Sequence, residues 1–126
     1  MRSFSIALCV TLIQITPVLA FCKQDRNDQD PAYWRGHIAN DPANEVLQGT
    51  TYYEAFSDPK SQTVWTFTKP GHPAHPSVVC RYPVQMGQQV FLRMEVICHN
   101  TQGACDKLVA DFQALNKTMS QHLNRQ

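Results

Sequence analysis

Gln89–Cys98 (QVFLRMEVIC), the break His99-Asn100-Thr101-Gln102-Gly103, and residues 104–122 (ACDKLVADFQALNKTMSQH) carry the change of periodicity on which the fold depends. In the first stretch Val90, Leu92, Met94, Val96 and Cys98 recur at every second position, the repeat of a β-strand. In the second, Cys105, Leu108, Phe112, Leu115 and Met119 are spaced 3, 4, 3 and 4 apart, which is one stripe of an α-helix. A strand followed by an amphipathic helix must bury that stripe against a sheet.

Working toward the N-terminus, three more strands precede it. Residues 77–84 (SVVCRYPV) lead into a turn around Met86-Gly87, and matching even-numbered positions place Val78, Cys80, Tyr82 and Val84 on one face with Val90 to Cys98 if the register sums to an even number. Arg81, Arg93 and Glu95 then share the opposite face. Residues 51–56 (TYYEAF) and 63–68 (TVWTFT), separated by Ser57-Asp58-Pro59-Lys60, read as a hairpin. Trp65 and Phe67 alternate with Val64, Thr66 and Thr68, the pattern of a sheet with one wet side. The expected fold is therefore α+β and two-layered: a four-stranded antiparallel sheet in the order β-β-β-β-α, with the C-terminal helix on one face. This domain spans residues 50–126. Residues 21–49 form a polar N-terminal arm with short helical turns at Asp30-Pro31 and Asp41-Pro42, the second running from Pro42 to Leu47, because a capping carboxylate precedes proline at the first helical position. Tyr33 and Trp34 anchor the arm to the core.

The first twenty residues are of another kind. One charge, Arg2, precedes the apolar run 4–15 (FSIALCVTLIQI), Pro17 breaks it, and Val18-Leu19-Ala20 forms a cleavage site, so residues 1–20 read as a secretory signal peptide. Gln14, Thr16 and Pro17 argue against an uncleaved anchor. The remaining 106 residues carry ten bases and ten acids, a neutrality that argues against nucleic-acid binding. The charges are segregated: residues 21–58 hold seven acids and three bases, residues 59–126 three acids and seven bases. Either the halves compensate on folding or the surface is bipolar.

Cleavage removes Cys9 and leaves Cys22, Cys80, Cys98 and Cys105 in an oxidising compartment, where two disulfides are expected. The helical stripe puts Cys105 near the end of the last strand, favouring Cys98–Cys105 and, by elimination, Cys22–Cys80. Cys80–Cys105 is a competing pair if Cys80 and the helix share a face. A thiolate zinc site ranks below disulfides, since the chain has no C-x-x-C pair.

Lys69-Pro70-Gly71-His72-Pro73-Ala74-His75-Pro76-Ser77 has proline at every third position, the period of polyproline II. A rigid loop carrying His72 and His75 on one edge suits recognition, with Lys69, Trp65 and Arg81 as neighbours. A copper or zinc site would need a turn at Pro73-Ala74 and help from His99 or His37, because in polyproline II the two histidines stand about 9 Å apart. No G-x-S-x-G, H-E-x-x-H, P-loop or G-x-G-x-x-G occurs, so no catalytic residue is assigned.

The segments TKPGHPAHPSVVCR (68–81) and ACDKLVADFQALN (104–116) resemble parts of small exported bacterial proteins of uncharacterised function that carry a G-x-P-A-H-P loop ahead of a final hairpin and helix. The resemblance implies export and carries no catalytic residues. Together these features point to a periplasmic or secreted, non-catalytic module without cofactor that binds another protein, of inhibitor or immunity type. The alternatives are an envelope copper- or zinc-binding protein using His72, His75 and His99, and a small secreted effector or enzyme.

Overall fold

The computed structural model describes Cys22 and residues 30–125; the expected signal peptide lies outside the described residues. The elements are α1 (Pro31–Ala39), β1 (Glu45–Leu47), β2 (Tyr53–Asp58), β3 (Thr63–Thr68), β4 (Ser77–Met86), β5 (Gln89–Cys98) and α2 (Gln102–Leu123). The strands form one antiparallel sheet in sequence order. The fold is α+β with α2 packed on the sheet, as the periodicity requires, but it has five strands rather than four and a helix on each face rather than one.

The fifth strand comes from the segment expected to be a helical turn. Asp41 holds a turn, its Oδ1 accepting from the Ala43 N–H at 2.9 Å. Glu45–Leu47 then pairs with the free edge of β2, Val46 opposite Phe56. Pairing satisfies backbone groups that one helical turn would leave open. At Asp30-Pro31 the capping signal does start a helix: Asp30 Oδ1 accepts from Tyr33 N at 2.8 Å and Pro31 is the first residue of α1.

The second helical layer follows from a two-residue turn. Met86 pairs with Gln89, leaving Gly87-Gln88 as the loop, with Gly87 in the left-handed region at φ +64°. A two-residue loop makes the register sum odd, not even. Val78 therefore sits opposite Ile97 and Arg81 opposite Met94. Even residues of β4 face α1, where Cys22, Trp34, Ile38, Phe56, Trp65, Phe67, Val78 and Cys80 form one core. Odd residues face α2, where Ala74, Val79, Leu108 and Phe112 form another, flanked by Tyr53, Met94 and Val96. The side expected to be wet is covered: Thr66 and Thr68 are each 6% exposed.

The bridges follow the two faces. Cys22 is bonded to Cys80 beneath α1, and Cys98 to Cys105 at the start of α2. Cys80 and Cys98 lie on opposite sides of the sheet, which puts the competing Cys80–Cys105 pair out of reach. The two ion pairs formed between described residues, Arg35–Glu54 and Lys107–Asp111, each lie within one charge half and do not join the halves.

The buried side of α2 departs from its apolar stripe after Phe112. Leu108, Phe112, Asn116 and Ser120 are buried, while Leu115 and Met119 are exposed. The reason is β5's outer edge, whose backbone groups need polar partners. Leu92 N–H donates to Ser120 Oγ at 3.1 Å, and Asn124 takes both Val90 groups, accepting from N–H at 2.8 Å and donating to the carbonyl at 3.1 Å. Four residues of helix rise about 6 Å and two of strand about 6.8 Å, so side chains one helical turn apart meet successive outward groups of β5.

Candidate functional site

The histidine loop is two consecutive tight turns rather than polyproline II. His72 N–H donates to Lys69 O at 3.1 Å and His75 N–H to His72 O at 3.0 Å. Pro70-Gly71 occupies the centre of the first turn, and Gly71 adopts φ +102°, a conformation that proline spacing alone does not reveal. The His75-Pro76 bond is cis.

Both histidines are turned inward. His72 Nδ1 accepts from Ala74 N–H at 2.9 Å, so in the neutral ring Nε2 bears the proton and donates to Tyr53 Oη at 2.8 Å. His75 Nδ1 meets Thr68 O at 2.8 Å. Burial lowers the His72 pKa, with Asp111 opposing and His75 and Lys107 reinforcing the shift. The neutral ring thus contributes stability above the ordinary histidine pKa of about 6.5, and the contribution is lost as pH falls through the lowered midpoint. Nitrogen-detected NMR is expected to show a neutral Nε2–H tautomer for His72 titrating below the ordinary histidine value. A free-imidazole titration with mixed tautomers would refute that arrangement.

The other residues singled out with this loop are dispersed. Lys69 Nζ donates to Thr50 O at 2.7 Å. Trp65, far from forming a recognition surface, is 4% exposed on the α1 face, stacked on Trp34 at 5.1 Å and donating Nε1–H to Thr63 Oγ1 at 2.9 Å. Its alternation partner Phe67 is buried there too, which is why a strand tryptophan read as loop-adjacent belongs to the core. Nor do the proposed metal ligands converge: among the described residues no three His, Cys, Asp or Glu side chains gather around one point. His72 has both ring nitrogens engaged, and His37 stacks on Tyr33 in α1.

Arg81 is different. The odd register puts it on the α2 face, where its guanidinium carbon lies 5.3 Å from the Phe112 ring centroid and Nη1 lies 3.3 Å from Met119 Sδ. Its Nε is buried with no hydrogen-bond partner. Burial lowers its pKa, and no carboxylate offsets that effect. Beside it on β3, Thr66 Oγ1 is also buried and unpartnered. Other parts of both residues line a groove of about 300 Å³ between α2 and the β2–β3 part of the sheet, bounded by Tyr53, Ala55, Phe112 and Leu115. Tyr53 packs edge-on against Phe112 at 5.6 Å, so the histidine loop steadies the groove's end wall rather than offering a surface of its own.

The remaining wall, residues 48–50, lies so close to β2 that a Cβ on Gly49 would sit 2.6 Å from the Tyr53 carbonyl oxygen. Glycine is required there, and Thr50 completes the contact by donating its N–H to Tyr53 O at 2.9 Å. Thr66, Tyr53 and Phe112 were not marked by the sequence as site residues. Phe112 stood in the helical stripe, but only the odd register brings Thr66 and Arg81 beneath it.

A larger cleft of about 950 Å³ follows β5's outer edge beside Val109, Gln113 and Asn116 of α2. Arg93 and Lys117 also line it, with the buried and unpartnered Asn116 Oδ1, while the smaller groove joins Arg81 to Thr66. Comparison of the chain with protein-family models, with curated proteins and with solved structures found no match.

Proposed function

We propose that the protein is an exported, non-catalytic binding module, acting as inhibitors and immunity proteins do by contact with another protein, and that it docks through the groove between α2 and β2–β3. The observation that carries this reading is an exposed apolar row on α2 that starts at the groove-lining Leu115. Leu115, Met119 and Leu123 recur every four residues on α2 and are 43%, 39% and 42% exposed. Leu47 is exposed on the same side of the sheet, opposite Ala55. Exposed apolar groups in a row beside a groove are characteristic of interaction surfaces.

Export is supported by the two disulfides, which persist in oxidising compartments. Among the described residues no helix is long and apolar enough to cross a membrane.

The test compares the oxidised protein with a Leu115→Glu/Met119→Glu variant, both immobilised and exposed to the envelope and secreted fractions of the producing cells. One protein captured at unit stoichiometry by the parent and lost by the variant is expected. Equal capture by both, or none by either, would overturn the reading.

A further inference from the structure

We infer that the loop between β3 and β4 is an acid-released latch, in which protonation of His72 frees Ala74 from the second core and opens residues 70–74 while the rest of the fold stays closed. The latch needs no partner, so its test leaves the docking reading untouched.

The conflict lies at one nitrogen. His72 Nδ1 accepts from the Ala74 N–H at 2.9 Å, and Ala74 is 1% exposed. A proton added to the neutral ring goes to Nδ1, since Nε2 already bears one and donates it to Tyr53 Oη at 2.8 Å. Two donors then meet, and a buried N–H loses its acceptor. His75 is the contrast within the same loop. Its Nδ1 faces Thr68 O at 2.8 Å, a carbonyl that can only accept, so that contact survives a positive charge.

The groups around the ring set the direction of the pH response. Tyr53 and the preceding Tyr52 face it from the β2 side, while His75 acts on it from the loop and Asp111 and Lys107 from α2. Burial is the strongest influence and disfavours the charged ring; Asp111 opposes it, and His75 and Lys107 reinforce it. The latch is therefore closed above the ordinary histidine midpoint of about 6.5 and opens as pH falls through a lower one.

Opening stays local because of where the loop is fastened. On one side Lys69 N–H donates to Tyr52 O at 2.8 Å. On the other, Asn100 Nδ2 donates to His75 O at 2.8 Å, His99 N–H to Pro76 O at 3.0 Å and Ser77 N–H to Thr68 Oγ1 at 2.8 Å. None of these bonds uses the His72 ring. Between the two posts Ala74 is held by that ring, by Ser77 Oγ donating to its carbonyl, and by its methyl in the cluster with Val79, Leu108 and Phe112. One methyl is a small apolar anchor. The charged ring keeps its Nε2–H bond to Tyr53, so Ala74 is the residue that moves. Its departure uncovers Leu108 and Phe112, one turn from the exposed Leu115.

The experiment follows amide hydrogen exchange of the oxidised, isotope-labelled protein by NMR from about pH 7.5 to about pH 4.5, expressed as protection factors. The Ala74 amide is expected to lose at least about tenfold in protection with the midpoint of the His72 ring, while Val79 and Phe112 keep theirs. His72→Asn supplies an oxygen that accepts from the N–H two residues on and does not titrate, so Ala74 should stay protected throughout. His72→Phe supplies no acceptor and should leave Ala74 unprotected at every pH. Constant Ala74 protection through the His72 titration, or the same fall in His72→Asn, would overturn the latch. So would Val79 and Phe112 losing protection in step with Ala74, because acid would then unfold the domain as a whole. Should His72→Phe fail to fold, the parent and His72→Asn curves decide the matter.

Discussion

Trp34→Ala is expected to lower the stability of the oxidised protein by about 3–5 kcal/mol, in the range for deleting a large buried aromatic. Trp34 is 1% exposed, stacks on Trp65 at 5.1 Å and lies one turn from the equally buried Ile38. The helix that carries it, α1, has nine residues, too few to persist in water without packing. Losing the indole therefore removes more than its own contacts. It loosens α1, exposes Phe56 and Phe67, and leaves α1 held to the sheet by Ile38, Tyr33 and the bidentate Arg35–Glu54 pair. That pair is partly exposed and cannot compensate. Against a total stability of about 5–15 kcal/mol, the loss should be visible as a large fall in the urea midpoint. A change below about 1 kcal/mol would mean that α1 is not part of the cooperative unit.

The second large effect concerns the bridge beneath the same helix. Removing Cys22–Cys80 with Cys22→Ala/Cys80→Ala should cost about 4 kcal/mol, and removing Cys98–Cys105 about 2 kcal/mol, because the unfolded chain regains more freedom from the longer loop. The sequence separations are 58 and 7 residues. Cys98–Cys105 ties the end of β5 to the first turn of α2, elements already neighbours in the chain. Cys22–Cys80 ties the N-terminal segment to the middle of the sheet, and both of its sulfurs lie in the first core. Thermal unfolding of the two double variants should rank them in that order, and the reverse ranking would show that loop length does not govern the effect here.

Much of the architecture was legible in the sequence. The strands from Tyr53 onward and the long helix announced themselves through alternation and a 3–4 spacing, and Asp30-Pro31 marked the start of α1. Three things were not legible, for different reasons. Glu45–Leu47 is too short to show a period, and the Asp41-Pro42 pair ahead of it carries the same signal as a helix start. The facing of β4 and β5 hung on whether the loop at Gly87 held two residues, and that one-residue difference decided which side of the sheet α2 covers. The histidine loop was governed by the local chemistry of Pro70-Gly71, which favours a tight turn over an extended helix.

The site was half visible for related reasons. Arg81 was named beside the histidines as a surface residue, but its importance lies in being partly buried beneath Phe112 without a carboxylate. Thr66 looked like an ordinary wet-face threonine until α2 was laid over it. Sequence patterns report which residues alternate. They do not report which polar atoms end up without a partner, because that depends on every element packed above them.

The clasp between α2 and β5 bears on how the protein behaves in a crowd. A ten-residue strand rich in β-branched and aromatic residues, with an open edge, is a template on which other chains polymerise. Ser120 and Asn124 occupy that edge, and the sheet's opposite border is the three-residue β1, too short to template much. The last turn of α2 is thus a stopper. A chain clipped just ahead of Ser120 would keep both disulfides and both cores, yet present a sticky border to its neighbours, so self-association rather than unfolding would be the first symptom of damage at that end.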